Sequence, residues 1–294
     1  MTDPEFEQLL GDLRPKLHRY CARMTGSVID GEDVLQEALV KAIRARVDAG
    51  EIAQPERWLF RIAHNAALDF LRRRARADAR HSDEDPETMI DPNEGQPDPE
   101  TVALSLQRFM RLPRVQRSSV ILMDVLGYSL NELTDIMDAS LPAVKSALHR
   151  GRTRLHEIAH EPDDAPPPAL SPADRTLLAA YIDRFNARDF DAVRAMLADE
   201  VHLDLVNRRQ MHGRPEVETY FGNYAIATPR RFELGFVDGR AAMLVYHAAA
   251  PETVAYFVLV DFRDASVLHI RDFLYADYAV KGATIVAVPR LRSG

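Results

Sequence analysis

The sequence predicts a multidomain chain with an all-α N-terminal half and a C-terminal α+β domain. Three observations lead there. Apolar residues recur at helical spacing through the first half, two proline- and acid-rich stretches punctuate the chain, and strand-like runs gather beyond residue 200. A length of 294 residues exceeds one ordinary domain, and 46% apolar content supplies real cores. The punctuation predicts compact units at 1–80, 101–160 and 173–294, joined by linkers at 81–100 and 161–172.

In the first unit, Val34, Leu35, Ala38, Leu39, Ala42 and Ile43 mark one amphipathic helix, and Trp58, Leu59, Ile62, Ala66 and Phe70 another. Trp58 and Phe60 most simply serve the core. Arg61, Asn65, Arg72, Arg73 and Arg74 are harder to explain by packing. An Asn can hydrogen-bond a base edge, arginines hold phosphates, and aromatic rings stack on unpaired bases.

The net charge of -8 at first argues against nucleic acid as a partner. Its distribution reverses that inference. Seven arginines stand between Arg57 and Arg80 against two acids, whereas Asp83 to Glu100 holds eight acids and no Lys or Arg. The stretch HSDEDPETMIDPNEGQPDPE (81–100) therefore reads as a solvated acidic tether, or as a strand suited to a basic channel.

The middle unit contains a helix-turn-helix pattern. Ser129 and Glu132 form a capping box that opens a helix with Leu130, Leu133, Ile136 and Met137 on its apolar side. Asp138 to Ser140 make the turn, Ser140 caps the next helix, and Pro142 fits in its first turn. At 100° per residue, Val144, Leu148, Gly151 and Leu155 share a packing face, while Lys145, Ser146, His149 and Arg152 share the face that can enter a major groove. Arg150 adds to the basic run.

EPDDAPPPALSP (161–172) favours extended polyproline II. In the third unit, Leu177, Leu178, Tyr181, Ile182 and Phe185 predict a helix, and DFDAVRAMLAD (189–199) continues helical. A strand VHLDLV, a short helix PEVETYFGNY and strand-like runs at 232–237, 241–247, 254–262 and 267–275 follow. His202 and Asp204 lie two apart on one strand, and His247, Asp272 and Tyr275 fall on later ones, making these five the candidate pocket residues. Their plainer reading is structural or rim polarity. An acid/base pair in an apolar cavity and a small-molecule sensing site are the sharper ones.

The lone Cys21 rules out a disulfide framework and a cysteine zinc cluster, and fits a reducing compartment. No HExxH or CxxC spacing suggests a metal, and no cofactor motif is present. The N-terminus has no signal-peptide pattern and no run of 18 apolar residues occurs, so a cytoplasmic, non-membrane chain is expected.

On these motifs, residues 9–160 resemble a bacterial sigma factor of the extracytoplasmic-function group, the type with regions 2 and 4 alone. DGEDVLQEALVKAIR (30–44) is similar to region 2.2, WLFRIAHNAALDFLRRR (58–74) to regions 2.3 and 2.4, and residues 112–155 to region 4. The resemblance implies a region 2 helical bundle and a region 4 helix-turn-helix. It implies that Asp33, Gln36 and Glu37 meet the clamp helices of RNA polymerase core, with region 4 on its flap. It also implies that Asn65, with Trp58, Arg61, Arg72, Arg73 and the loop 49–54, captures a flipped base of the minus-10 promoter element. Lys145, Ser146, His149, Arg150 and Arg152 would read the minus-35 element.

FNARDFDAVRAMLADEVHLDLVNRRQMHGRPEVETYF (185–221) resembles the SnoaL-like branch of the nuclear-transport-factor-2-like fold, a curved sheet over helices making a cone with an internal pocket. Some sigma factors of this group carry such a domain as an intramolecular regulator. DGGGK-like and WLPE-like motifs associated with them are absent here. The implied function is promoter-specific, non-enzymatic initiation controlled in cis by the C-terminal domain. Two alternatives stand beside it: a one-component ligand-responsive DNA-binding regulator, and a SnoaL-like isomerase or cyclase fused to a DNA-binding module.

Overall fold

The computed structural model describes residues 2–77, 104–161 and 168–288. The acidic stretch 81–100 lies outside them, as do residues 162–167 of the proline-rich one. The chain divides into two compact units, Met1–Asp164 and Ala165–Gly294.

The first unit is helical. Helix α1 (Asp3–Thr25) begins where the Glu5 carboxylate accepts the Thr2 backbone N–H at 2.7 Å, and it ends at Gly26, whose φ of 79° suits a residue without Cβ. Helix α2 (Val28–Arg46) starts on Ser27, whose hydroxyl accepts from the amides of Ile29 and Asp30. The two helices approach closely at Gly31, where a Cβ would stand 2.6 Å from the Ala22 backbone. Helix α3 is Pro55–Ala77. After it come the short α4 (Leu106–Met110) and α5 (Arg114–Val120), the latter running on into a π-helical turn at Ile121–Val125. Helices α6 (Leu130–Met137) and α7 (Leu141–Ala159) form the helix-turn-helix, with the capping box, the turn and the Ser140 cap where the sequence predicts them.

Two separate helical units were the expectation for this half, but the structure joins them around one core. Tyr20, Phe60 and Leu71 share it with Leu122, Tyr128, Leu133 and Leu148. Phe60 meets Tyr128 edge-on at 5.1 Å between ring centroids. Buried polar groups span the same junction. His64 Nδ1 lies 2.7 Å from the Tyr20 hydroxyl and 3.1 Å from Ser118 Oγ. The Arg117 guanidinium donates to the carbonyls of Met24, Met110 and Leu112. Sequence periodicity shows that each helix has an apolar face, but not which faces meet.

The second unit is α+β, as expected. Helix α8 (Pro172–Ala187) is capped by Ser171 and ends at Arg188, and α9 (Phe190–Ala195) leads into strand β1 (Leu197–Leu205). The predicted helix through Asp199 is therefore cut short. The Val267 amide donates to the Met196 carbonyl, and β1 enters the sheet from Leu197. Strand β2 (Arg209–His212), helix α10 (Arg214–Ile226), strands β3 (Arg230–Val237), β4 (Arg240–His247), β5 (Ala250–Arg263) and β6 (Ser266–Asp272), the short α11 (Asp277–Val280) and β7 (Ile285–Ala287) complete it. The strands order as β2-β1-β6-β5-β4-β3-β7, and β1 pairs parallel to β6 while the other neighbours are antiparallel. Strands β2 and β7 have too few residues to stand out by alternation. Helices α8 and α10 pack their Tyr181, Phe185, Phe221 and Tyr224 against Phe232, Val245 and Val258 of the sheet.

Candidate nucleic-acid interface and the buried carboxylate of the C-terminal domain

Helix α3 buries Leu59, Phe60, Ala63, His64, Ala66, Ala67 and Leu71, which leaves Arg61, Asn65, Arg72 and Arg76 exposed at helical spacing. Trp58 is half-buried against Phe6, with ring centroids 6.4 Å apart, which favours its packing role. Several of the cations are already engaged. Arg72 donates to Asp69 at 3.0 Å, Arg74 to Asp30 at 3.1 Å, and Arg73 to Glu37 at 2.7 Å. The Arg73 hydrogen bond, with Lys41 beside it, holds the Glu37 carboxyl below its usual range. A candidate minus-10 residue and a candidate polymerase contact thus pair with each other. Asp33 is exposed on α2 and Gln36 half-buried.

The N-terminal end of this strip meets the helix-turn-helix. Arg57 reaches Glu132 and Asp135 of α6, each at 3.1 Å, and Arg61 Nε donates to the Asp135 carbonyl at 2.7 Å. Arg61 is therefore a positioning contact within the helical unit in this conformation. Nothing in the sequence places α6 beside α3.

On α7 the packing face is as expected, with Val144, Leu148, Gly151 and Leu155 buried. Two residues assigned to the opposite face belong elsewhere. Ser146 is buried, and its Oγ accepts from Arg150 at 2.6 Å. Arg152 forks onto Asp124 at 3.0 and 2.5 Å, and that carboxylate is fully buried, so this guanidinium neutralises an internal charge. A helical wheel counts angles but does not see that Asp124, from the preceding π turn, reaches one flank. Lys145 is half-buried and His149 exposed. His149, Arg150, Thr153 and Arg154 border an open cleft of about 500 Å³ whose other wall carries Arg111 and Gln116. Arg111 and Arg154 were not singled out in the sequence. The only available signal was their charge, because the cleft forms where the α4–α5 junction meets α7.

In the C-terminal domain the five candidate pocket residues do not converge. His202 lies between buried Val201 and Leu203 on β1 and so points away from the core, where its Nδ1 stands 2.6 Å from His212 Nδ1. Asp204 pairs with Arg271 at 3.3 Å, and His247 and Tyr275 are exposed. Asp272 alone is interior. Its Oδ2 accepts from Tyr220 at 2.5 Å and Tyr224 at 2.9 Å, and its Oδ1 from the Leu274 amide at 2.8 Å. Burial pushes its carboxyl upward against those hydrogen bonds. Tyr224 continues to Tyr256 at 3.0 Å, which accepts from Arg230 at 2.6 Å. Burial also raises the Tyr181 phenol, which has no hydrogen-bond partner among the described residues.

A cleft lined by Asn186, Arg188, Tyr224 and Arg230 measures about 40 Å³, room for water rather than for an organic ligand. Aromatic rings pack beside this cleft, with Phe185 5.4 Å from Tyr224 and 5.1 Å from Phe232 between centroids. Tyr220 and Tyr224 went unnoticed in the sequence although they stand four apart on one helix, because periodicity does not distinguish a packing phenol from one aimed at a carboxylate.

The sequence is similar to those of known proteins. Residues 9–77 match the model of sigma-70 region 2, and 106–155 that of sigma-70 region 4. The extracytoplasmic-function (ECF) RNA polymerase sigma factor SigM of Mycobacterium tuberculosis is 34% identical over 154 residues, covering 52% of this chain and 76% of SigM. The chain belongs to the ECF sigma factor family. SigG of the same species is 31% identical over 204 residues, 60% of this ECF chain, which spans about half (55%) of SigG's length. The crystal structure of M. tuberculosis SigJ, also an ECF sigma factor, aligns over 91% of this chain and 95% of SigJ at 21% identity, with a TM-score of 0.36.

Proposed function

We propose that this ECF family member is a promoter-specific sigma subunit: it joins RNA polymerase core and directs initiation through minus-10 and minus-35 contacts. The observation that carries the reading is the pairing of an exposed amide on an arginine-rich helix, Asn65 on α3, with a helix-turn-helix whose second helix exposes His149 and Arg154. Opening a promoter requires an unpaired base to be held outside the stack at a cost of a few kcal/mol, and an amide with nearby arginines offsets it. Duplex readout of the minus-35 element falls to Lys145, His149 and Arg150. Ser146 and Arg152 support α7 rather than touch bases. Asp33, Gln36 and Glu37 on α2 are the polymerase contacts, and Glu37 exchanges Arg73 for its partner there.

The C-terminal domain is read as a cis regulator, not an enzyme. What supports this is that Asp272, the buried carboxylate among the described residues of this domain, is engaged by two phenols and a backbone amide. No described helix is long and apolar enough to cross a membrane, and the cytoplasm is the proposed site of action. In-vitro transcription with core polymerase, comparing the full chain with residues 1–172 on promoters selected from a random library, tests both parts. Core-dependent initiation supports the sigma role, and a changed output on truncation supports cis control. DNA binding without initiation by either form would move the reading to a one-component regulator.

A further inference from the structure

Three histidines stand in register on neighbouring strands of the C-terminal sheet. His212 on β2 faces His202 on β1, His202 faces His269 on β6, and Asp261 on β5 stands opposite His269. Residues in register project to one face, so the four form a row across β2, β1, β6 and β5. His202, His212 and Asp261 are exposed and His269 partly so. The His202 and His212 rings meet through their Nδ1 atoms at 2.6 Å, with centroids 4.7 Å apart, and His269 Nδ1 lies 3.5 Å from Asp261 Oδ2.

Two imidazoles meeting nitrogen to nitrogen share one hydrogen bond only if one donates and the other accepts, and two protonated rings would repel. A cation between them removes that conflict, because each neutral ring then offers a lone pair. We propose that His202 and His212 form a surface site for a divalent transition-metal ion, with His269 within reach as a third ligand. Imidazole nitrogens suit Zn²⁺, Ni²⁺ or Cu²⁺, whereas Ca²⁺ and Mg²⁺ take oxygen ligands. Metal–nitrogen bonds of about 2.0–2.1 Å in a tetrahedral site set two ligand nitrogens roughly 3.3 Å apart. The pair thus has to open by less than about 1 Å, which rotation of exposed side chains supplies. Among the described residues no three metal-binding side chains converge on one point, so water completes the coordination shell unless His269 turns in.

The consequence is mechanical. Strand β2 is at the edge of the sheet and leads through Gly213 into α10, the helix that carries Tyr220 and Tyr224 onto Asp272. An ion across His202 and His212 ties that edge strand to β1 and restrains the start of α10.

Zn²⁺ titrated into the full chain by calorimetry, with Cu²⁺ electron paramagnetic resonance to count ligating nitrogens, tests the site. His156 on α7 and His160 just past its end, with ring centroids 4.7 Å apart, make a competing pair, so His156→Ala is the control. The expected result is one equivalent bound at micromolar concentration with at least two nitrogens. His202→Ala and His212→Ala should each weaken it by about tenfold or more and His269→Ala by a few fold, with His156→Ala unchanged. Circular dichroism of His202→Gln and His212→Gln, which keep a polar side chain on the same exposed face, separates loss of ligands from loss of fold. Binding that survives in both alanine variants, binding abolished by His156→Ala, or equal competition by Mg²⁺ would overturn the proposal.

Discussion

His64 shows how one buried side chain couples two stretches of sequence. It hydrogen-bonds Tyr20 and Ser118 across the helical unit, and burial pulls its pKa from 6.5 down to about 4. An unfolded chain would therefore take up a proton here that the folded one refuses. The stability tied to this group is complete above pH 6.5 and falls as the pH drops from there towards 4, by about 3 kcal/mol in all. Urea unfolding between pH 7.5 and 4.5 should show that slope in the native chain and lose it in His64→Gln. A slope unchanged by the substitution would assign it to other groups. The DNA-facing residues make a separate residue-scale prediction. Lys145→Ala and His149→Ala should weaken minus-35 binding by roughly 1–3 kcal/mol for a base contact, whereas equal losses on every sequence would mark phosphate contacts. Asn65→Ala should impair promoter opening more than closed-complex binding, and a normal permanganate footprint in that variant would count against base capture.

Among the elements, the α1–α2 pair depends on a missing side chain. A Cβ on Gly31 would sit 2.6 Å from the Ala22 backbone, which cannot turn aside as a side chain could. Gly31→Ala should push the helices apart and cost about 1–3 kcal/mol despite its better helix propensity. Thermal melts give the sign, and a stabilised variant would show that the pair can spread freely. Helices and the helix-turn-helix were legible here because caps and periodicity are local signals. The Ser129–Glu132 box and the Ser140 cap stand where the sequence places them. Assigning Ser146 and Arg152 to the exposed face went astray because burial on the flank of α7 is decided by Asp124 and α5. The boundary between α9 and β1 was missed for a related reason: Leu197 to Asp199 can extend a helix until β6 offers a strand partner.

At the scale of the molecule, the two units have cores without a shared residue, one built on Tyr20, Phe60 and Leu122 and the other on Phe185, Phe221 and Val258. Fragments 1–164 and 165–294 should therefore each fold alone. Cooperative melts of both, with near-ultraviolet circular dichroism, would verify this, and a molten 1–164 would mean that its core needs more than its own residues. Within the first unit, regions 2 and 4 share one core, so lengthening the acidic stretch 81–100 should leave its melting temperature nearly unchanged, since loop-closure entropy grows only slowly with length.

Taken alone, the sequence determined the class of both halves, the helix-turn-helix, the basic helix with Asn65 and the sigma-like order of motifs, because each is written in neighbouring residues through spacing, caps and charge. The tertiary structure decided what no local pattern encodes. It brings α6 onto Arg57 and Arg61, turns Arg152 inward to Asp124, leaves Asp272 alone of five candidate residues inside, and lines up three histidines drawn from three strands. Those outcomes depend on which apolar faces meet and on the register of strands distant in sequence. Both are set by burying the whole core at once.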